Sequence, residues 1–542
     1  MFYSSKTKKN IEVAVFILII VVAIFFRFSN ITKTPPGLWV DEAMNGTDVL
    51  NVLDGQSPKI FYPDNNGREG LFIYLQSISV NLVGPYPYAL RVVSAIIGVL
   101  TVIGLYFLTK EMFSWEIAAI SSFLMAVSFW HVNFSRIGFR AIMLPFILVF
   151  TIYFLLRGLK TFRWGDFVVS GIFAGLGFYT YISYRVAPAI FIALVVNYWL
   201  FLKKKFEATQ FRVARHKFME GLIISGLVAL IISLPMIFLL VSKPDLVANR
   251  QTQLSVLGSE NPLADLTVST IKTLAMFNFN GDWNQRHNLP GQPMLIWPVG
   301  IFFLIGFIRE LRHWLKRKNG YFSPIHTLLF SWFFVMLLPG FLSFEAPHAL
   351  RTIGVIPVVM IFSALGLHWS MERLLSWYGL HEPSYQYNRV SFLHQAKNIK
   401  IITLVIFLSA VALAEHNRYF EVWAKSSATK FAFTQHLTSI ANHLKSQDRD
   451  APTYILVNEN GVLVDGVSVF AQPIKFITKT HTQKSAQEEN IYYISGEQLE
   501  SFKFPKTFSV IPLVNDEDTV KFLKNNLKLK EKKYESFSVY SK

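Results

Sequence analysis

Two adjacent carboxylates, Asp41 and Glu42, stand in the stretch Trp39-Val40-Asp41-Glu42-Ala43, a dozen residues past the end of the first long apolar segment. Paired acids of this kind can take a proton from an attacking group, the work of a general base. Asp41 is the candidate base and Glu42 its neighbour; the structural alternative is a helix N-terminus, which also favours Asp and Glu. A second set is cationic and comprises Arg68, Arg136, Arg140, Arg185, Arg351 and His348. A planar guanidinium binds phosphate through two hydrogen bonds and keeps its charge near a membrane, so these residues are candidates to hold a phosphate. For any one arginine the alternative is a side chain snorkelling at the end of a span. Carboxylate and imidazole at Asp41, Glu42 and His348 would also suit a divalent cation such as Mg²⁺ or Mn²⁺. No cluster at diagnostic spacing specifies a metal, and no other cofactor is indicated.

The elements that must position these residues are membrane spans. Of the 542 residues, 52% are hydrophobic and 50 are phenylalanine, unlike the average soluble protein. Apolar runs of roughly 17 to 25 residues, enough for about 30 Å of hydrocarbon at about 1.5 Å per residue, recur along the chain. Eleven are expected, over 11–28, 89–109, 115–132, 140–157, 165–182, 186–202, 220–242, 292–308, 325–344, 351–370 and 399–415. The first follows Lys6, Lys8 and Lys9 with no small-residue cleavage site after it, and reads as an uncleaved signal anchor.

Orientation follows from the basic residues in the connections. With the N-terminus cytoplasmic, the inside segments carry 22 Lys and Arg and the outside segments before the tail carry 11. The formal charge of +17 therefore reads as membrane topology and attraction to anionic headgroups, with no basic soluble module to suggest nucleic-acid binding. The chain has no cysteine, which excludes disulfides, thiol catalysis and Cys-zinc sites.

The first outside segment, residues 29–88, holds both acids and is far longer than a hairpin connection. Its middle, Pro58 to Gly70, reads as irregular loop, and Glu69 to Val83 as an amphipathic helix in the membrane interface, too short to span. Brief outside connections at 131–140 and 179–185 place Arg136, Arg140 and Arg185 beside the bilayer; the tyrosines of the second also suit an aromatic belt. Residues 243–291, with Asp245, Arg250, Asp282, Arg286 and His287, form a second long outside loop whose composition suits either a lid or a plain connection. Residues 345–351 return outside with His348 and Arg351.

After the last span the composition becomes that of a small soluble α/β domain, with 17 basic and 14 acidic residues over 416–542. A helical opening, Tyr419 to Lys445, precedes β-type runs at Tyr454 to Val457, Val467 to Phe470, Ile491 to Ile494, Phe508 to Leu513 and Phe537 to Tyr540. The expected division is a transmembrane domain over 1–415 and an extracytoplasmic α/β domain over 416–542.

The stretches LWVDEAMNG, GREGLFIYL, FSRIGFRAIMLP, YTYISYRVAP and PHALRTIGVIP, in this order over residues 1 to 370, carry a resemblance. The chain resembles the GT-C superfamily of membrane glycosyltransferases, close to the protein O-mannosyltransferase and lipid A aminoarabinose transferase group. The resemblance implies a multi-pass plasma-membrane enzyme, a polyprenyl-phosphate sugar donor, inversion at the anomeric carbon, and an acid of the first outside loop as catalytic base. That role falls on Asp41, with Glu42 beside it. One departure is Gly70, where such proteins commonly have proline. The acceptor, whether protein, lipid or glycan, does not carry over.

The main rival is a flippase or transporter of lipid-linked sugar. Transporters place ionisable residues near the midplane of their spans, whereas the polar groups here collect at the outer surface.

Overall fold

The computed structural model describes residues 5–65, 67–205, 208–244, 255–316, 323–379, 386–447 and 451–542. Asp245 and Arg250 of the second expected outside loop lie outside the described residues. The chain divides into two compact units. One comprises Met1–Ser29, Ser94–Ser135 and Arg140–Val422; the other comprises Asn30–Val93, Arg136–Phe139 and Trp423–Lys542.

The first unit is helical. Among the described residues eight helices are long and apolar enough to cross a bilayer, and nine if the bent pair Trp115–Val127 and Phe129–Arg136 is one span. Eleven were expected. The other two segments are helical but differ from the expectation: Trp164–Leu176 has 13 residues before the chain tightens into 3₁₀ turns, and Trp297–Leu315 carries Arg309, Glu310 and Arg312 in its last turns. Helices suit this composition because each satisfies its own backbone polar groups without water.

Packing between the helices of this unit uses small residues and phenylalanine. Trp297–Leu315 and Ile356–Gly379 cross at Gly306 and Gly366, where an added Cβ would lie 1.9 Å from a carbonyl oxygen of the opposite helix. Phe303, Phe307, Phe330, Phe333 and Phe362 cluster beside that crossing in edge-to-face and tilted contacts. The 55° bend between Val127 and Phe129 interrupts the helical ladder. Arg27, fully buried, donates to the carbonyls of Ala126 at 2.8 Å and Met125 at 3.3 Å, while Glu415 accepts from the Phe129 N–H at 3.2 Å. Side-chain charges thus take up backbone groups that the bend releases.

The second unit joins the first-loop helices to a small α/β layer. Its five-stranded sheet has the order Ile491–Ser495, Thr453–Val457, Ser509–Pro512, Ser538–Ser541, Lys530–Lys533. The first three strands are parallel and the last two antiparallel. Val467–Ser468 pairs only with Leu463–Val464 in a two-stranded ribbon apart from that sheet.

One apolar core runs from Leu38, Ala43, Val49 and Leu50 through Ile73 and Leu90 to Leu437, Ile440, Ile455, Ile474 and Phe476. The helix Val40–Leu53 therefore rests on Gln472–Thr478 and is fixed there by Thr47 Oγ1 donating to Gln472 Oε1 at 2.7 Å. The interface helix is Leu71–Val83. Gly70 precedes it for a steric reason: its N–H donates to the Ile60 carbonyl at 2.9 Å, and a Cβ would meet the Lys59 carbonyl at 2.4 Å. A proline there would lose that donor.

Candidate active site

The helix Val40–Leu53 begins at Trp39, whose backbone is extended with φ −65° and ψ 147°. Neither acid is the N-cap. They occupy the first turn, where negative charge complements the unpaired N–H groups of the helix.

The two carboxylates have different surroundings. Glu42 is wholly buried. Its Oε1 accepts from Arg91 Nε at 2.8 Å and from the Gly138 N–H at 2.8 Å. Its Oε2 accepts from Arg91 Nη2 at 3.0 Å and from the Trp39 N–H at 3.3 Å. Arg91 also donates to the carbonyls of Pro35, at 2.8 Å, and Gly37. A buried ion pair is tolerable only when its remaining hydrogen-bonding positions are filled, and here they are. Glu42 thus ties the helix start to the preceding loop and to the Arg136–Phe139 segment.

Asp41 is only partly buried, and Asn65 Nδ2 donates to its Oδ1 at 2.7 Å. Its Oδ2 has no hydrogen-bond partner among the described residues. Of the two acids, Asp41 is the one with an oxygen available to an incoming group.

About two turns further along the helix, Asp48 is buried against Arg68 at 2.6 Å, close as an ion pair but without hydrogen-bond alignment. Arg68 Nη1 donates to Asn45 Oδ1 at 2.8 Å, and Asn45 Nδ2 donates to the Gly138 carbonyl at 3.3 Å. Burial pushes the Asp48 carboxyl above its ordinary range, and the neighbouring Arg68 charge only partly offsets this. Arg136 is fully buried and donates to the Thr34 carbonyl at 3.1 Å. Both arginines are engaged in binding their own chain.

The other phosphate candidates belong to the other unit. Arg140 lies over the Tyr181 ring with its guanidinium 5.6 Å from the centroid, and Arg185 sits in the 3₁₀ turn Ile182–Val186. Arg351 pairs with Glu345 at 2.5 Å and also donates to Ser343. His348 lies 3.5 Å from Glu345 and 3.9 Å from Asp282.

Asp282 is buried and holds this region together. Its Oδ2 accepts from the Ala349 N–H at 2.7 Å and lies 2.9 Å from His287 Nδ1, while Oδ1 accepts from the Asn284 N–H at 2.8 Å. Burial pushes its carboxyl up, but the hydrogen bond to His287 and the two nearby imidazoles outweigh this and hold it below the ordinary value. Asp282, His287 and His348 offer three ligand atoms within 4.8 Å of one another, a spacing that one divalent cation could bridge.

Among the residues expected from sequence, Asp41, Glu42, Arg68 and Arg136 fall in one unit and Arg140, Arg185, His348 and Arg351 in the other. Sequence reasoning missed Arg91, Asn45, Asp48 and Asn65. A charge near the start of an apolar run was the available signal for Arg91. In sequence Asp282 and His287 stand only as polar residues of a long loop.

The comparisons with known proteins agree with this architecture. The profile of the dolichyl-phosphate-mannose-protein mannosyltransferase family matches residues 71–238. Over nearly its whole length the chain also superimposes on ArnT from Cupriavidus metallidurans bound to undecaprenyl phosphate, covering 99% of this chain and 98% of that one at a TM-score of 0.55 and 12% identity. The chain has the fold of that structure. The oligosaccharyltransferase AglB from Archaeoglobus fulgidus, in complex with an inhibitory peptide and a dolichol-phosphate, is similar as well. There the match has a TM-score of 0.51 and 14% identity, and covers 91% of this chain and 70% of that one. An apo structure of the Archaeoglobus fulgidus oligosaccharyltransferase gives a TM-score of 0.54 at 14% identity, covering 94% of this chain and 70% of that one. No curated protein matches the sequence. Identities this low establish likeness of fold and assign no residue its role.

Proposed function

We propose that the protein is an inverting glycosyltransferase that moves a sugar from a polyprenyl-phosphate donor to an acceptor at the outer face of the plasma membrane, with Asp41 as general base. The observation that carries this is the division between the two acids. Glu42 accepts two hydrogen bonds on each of its oxygens, whereas Asp41 keeps one oxygen open. The undecaprenyl phosphate and dolichol-phosphate in the similar structures support the donor class.

The acceptor's nucleophilic atom attacks the anomeric carbon on the face opposite the phosphate, and Asp41 takes its proton. The bond from the anomeric carbon to the phosphate oxygen breaks, and the electron pair leaves with the polyprenyl phosphate. Arg140, Arg185 and Arg351 are the cations proposed to stabilise that departing charge, because Arg68 and Arg136 already serve buried partners. Glu42 and Arg91 are positioning residues that fix the helix start. A divalent cation held by Asp282, His287 and His348 would add Lewis-acid character, and no step depends on it.

The N-terminus is proposed to be cytoplasmic and the 416–542 domain extracytoplasmic, with transmembrane segments confined to 1–415. Purified protein incubated with a panel of polyprenyl-phosphate sugars should release free lipid phosphate, followed by mass spectrometry. Movement of the lipid-linked sugar across a liposome membrane without that release would favour the flippase.

A further inference from the structure

The helix Pro262–Ala275 has its polarity reversed relative to a helix in water. Ser269 and Thr273 face inward and are buried, while Leu263, Val268, Ile271 and Leu274 point outward, Leu263 with 81% and Ile271 with 62% of its surface exposed. At about 100° per residue the four apolar residues fall on one arc, bordered on one side by Lys272 and Asp265. The only hydroxyl on the outward arc, that of Thr267, donates to the Leu263 carbonyl one turn back at 2.7 Å and so needs no water. A face of this kind is costly in water and favourable against hydrocarbon.

The depth of the helix follows from what it touches. Ser269 Oγ donates to the Ser343 carbonyl at 3.0 Å, and Thr273 packs against Gly340. Both contacts lie at the end of the span Pro324–Phe341. Just beyond the helix, Phe279 meets Trp297 edge to face at 5.9 Å, at the start of Trp297–Leu315. The helix therefore runs between the end of the span Pro324–Phe341 and the start of the helix Trp297–Leu315. Its 14 residues cover about 21 Å at about 1.5 Å each, too short to span. Its apolar arc continues the outward apolar surface of its neighbours, where Phe334, Leu338 and Trp297 are exposed as well.

We propose that Pro262–Ala275 is an in-plane membrane helix whose outer face is covered by lipid acyl chains, and that it holds the following loop, with Asp282 and His287, at the level of the bilayer surface. Lys272 and Asp265 mark the edge that reaches the headgroups. The proposal rests on the membrane reading of the chain.

The chain has no cysteine, so a single one can be labelled cleanly. Full-length Ile271→Cys, Leu18→Cys and Lys506→Cys would each carry an environment-sensitive fluorophore in phosphatidylcholine nanodiscs. They would be quenched either by phosphatidylcholine spin-labelled near the top of its acyl chain or by aqueous iodide. Leu18, exposed on the first span, reports whether the protein is embedded at all; Lys506, exposed on the α/β layer, reports water. The label at Ile271 should lose most of its emission to the spin-labelled lipid and little to iodide. Quenching by iodide alone, with Leu18 still quenched by lipid, overturns the proposal and leaves the membrane reading intact. Resistance to both quenchers also overturns it, because the face would then be covered by protein. Loss of lipid quenching at Leu18 as well would defeat the membrane reading itself.

Discussion

Glu42→Gln isolates the lock between the first-loop helix and Arg91. The native carboxylate accepts four hydrogen bonds, at 2.8, 2.8, 3.0 and 3.3 Å, two on each oxygen. Glutamine keeps the shape but turns one oxygen into an amide nitrogen, which donates and cannot accept. Whichever way the amide settles, two donors lose their acceptor and face another N–H. At about 1.5 to 3 kcal/mol for each hydrogen bond to a charged group, the loss is about 3 to 6 kcal/mol. Breaking one side of a buried ion pair typically costs about 3 to 5 kcal/mol, so the two routes agree. Set against total stabilities of about 5 to 15 kcal/mol, this is a severe lesion. Unfolding of the detergent-solubilised protein should show it, with Arg91→Ala equally damaging. Replacing both residues by methionine should recover part of the loss, because no charge is then left unpaired. Wild-type stability in both Glu42→Gln and Arg91→Ala would refute the lock. Full stability with abolished turnover in Glu42→Gln would move the base from Asp41 to Glu42.

Other outcomes follow from the same geometry. Arg68→Ala should destabilise the fold by about 3 to 5 kcal/mol, because it strands the buried Asp48 carboxylate; an unchanged unfolding midpoint would show that the pair is dispensable. If Arg140, Arg185 or Arg351 holds the donor phosphate, replacement by lysine should weaken polyprenyl-phosphate binding by about 10- to 150-fold, since the charge stays but the bidentate fork is lost. Unaltered binding in all three would dismiss the cradle. A reporter fused after Lys542 should be extracytoplasmic and one placed at Lys217 cytoplasmic; a cytoplasmic C-terminal reporter would reverse the proposed orientation of the α/β layer.

The parts of the fold that were legible in sequence are those where one physical demand dominates locally. Hydrocarbon thickness dictates span length, so Thr7–Phe28, Pro87–Met112 and Ile353–Leu374 fall close to their expected positions. Alternating and β-branched residues marked Thr453–Val457, Ile491–Ser495 and Ser509–Pro512. The strand Lys530–Lys533 carries the sequence KEKK and showed no such signal, because charges suit an edge that must not pair further. Trp297–Leu315 mixes charge into its last turns and so departs from the apolar template. Pro262–Ala275 carries no clear helical signal in sequence, because its threonines and serine obscure a one-sided apolar arc. In the site, adjacency gave Asp41 and Glu42 the same standing. Their difference comes from Arg91, 49 residues from Glu42, and from the Gly138 N–H, 96 residues away, which no local pattern reveals.

Turnover by Asp41→Asn at equal membrane abundance decides whether Asp41 takes the acceptor's proton. Asparagine preserves the size and the position in the first helical turn and can still accept from Asn65, so insertion, folding and donor binding should be retained. With no basic oxygen to receive the proton, sugar transfer should fall by about 10²- to 10⁴-fold. Wild-type turnover by Asp41→Asn would contradict the assignment and return this stretch to a structural role.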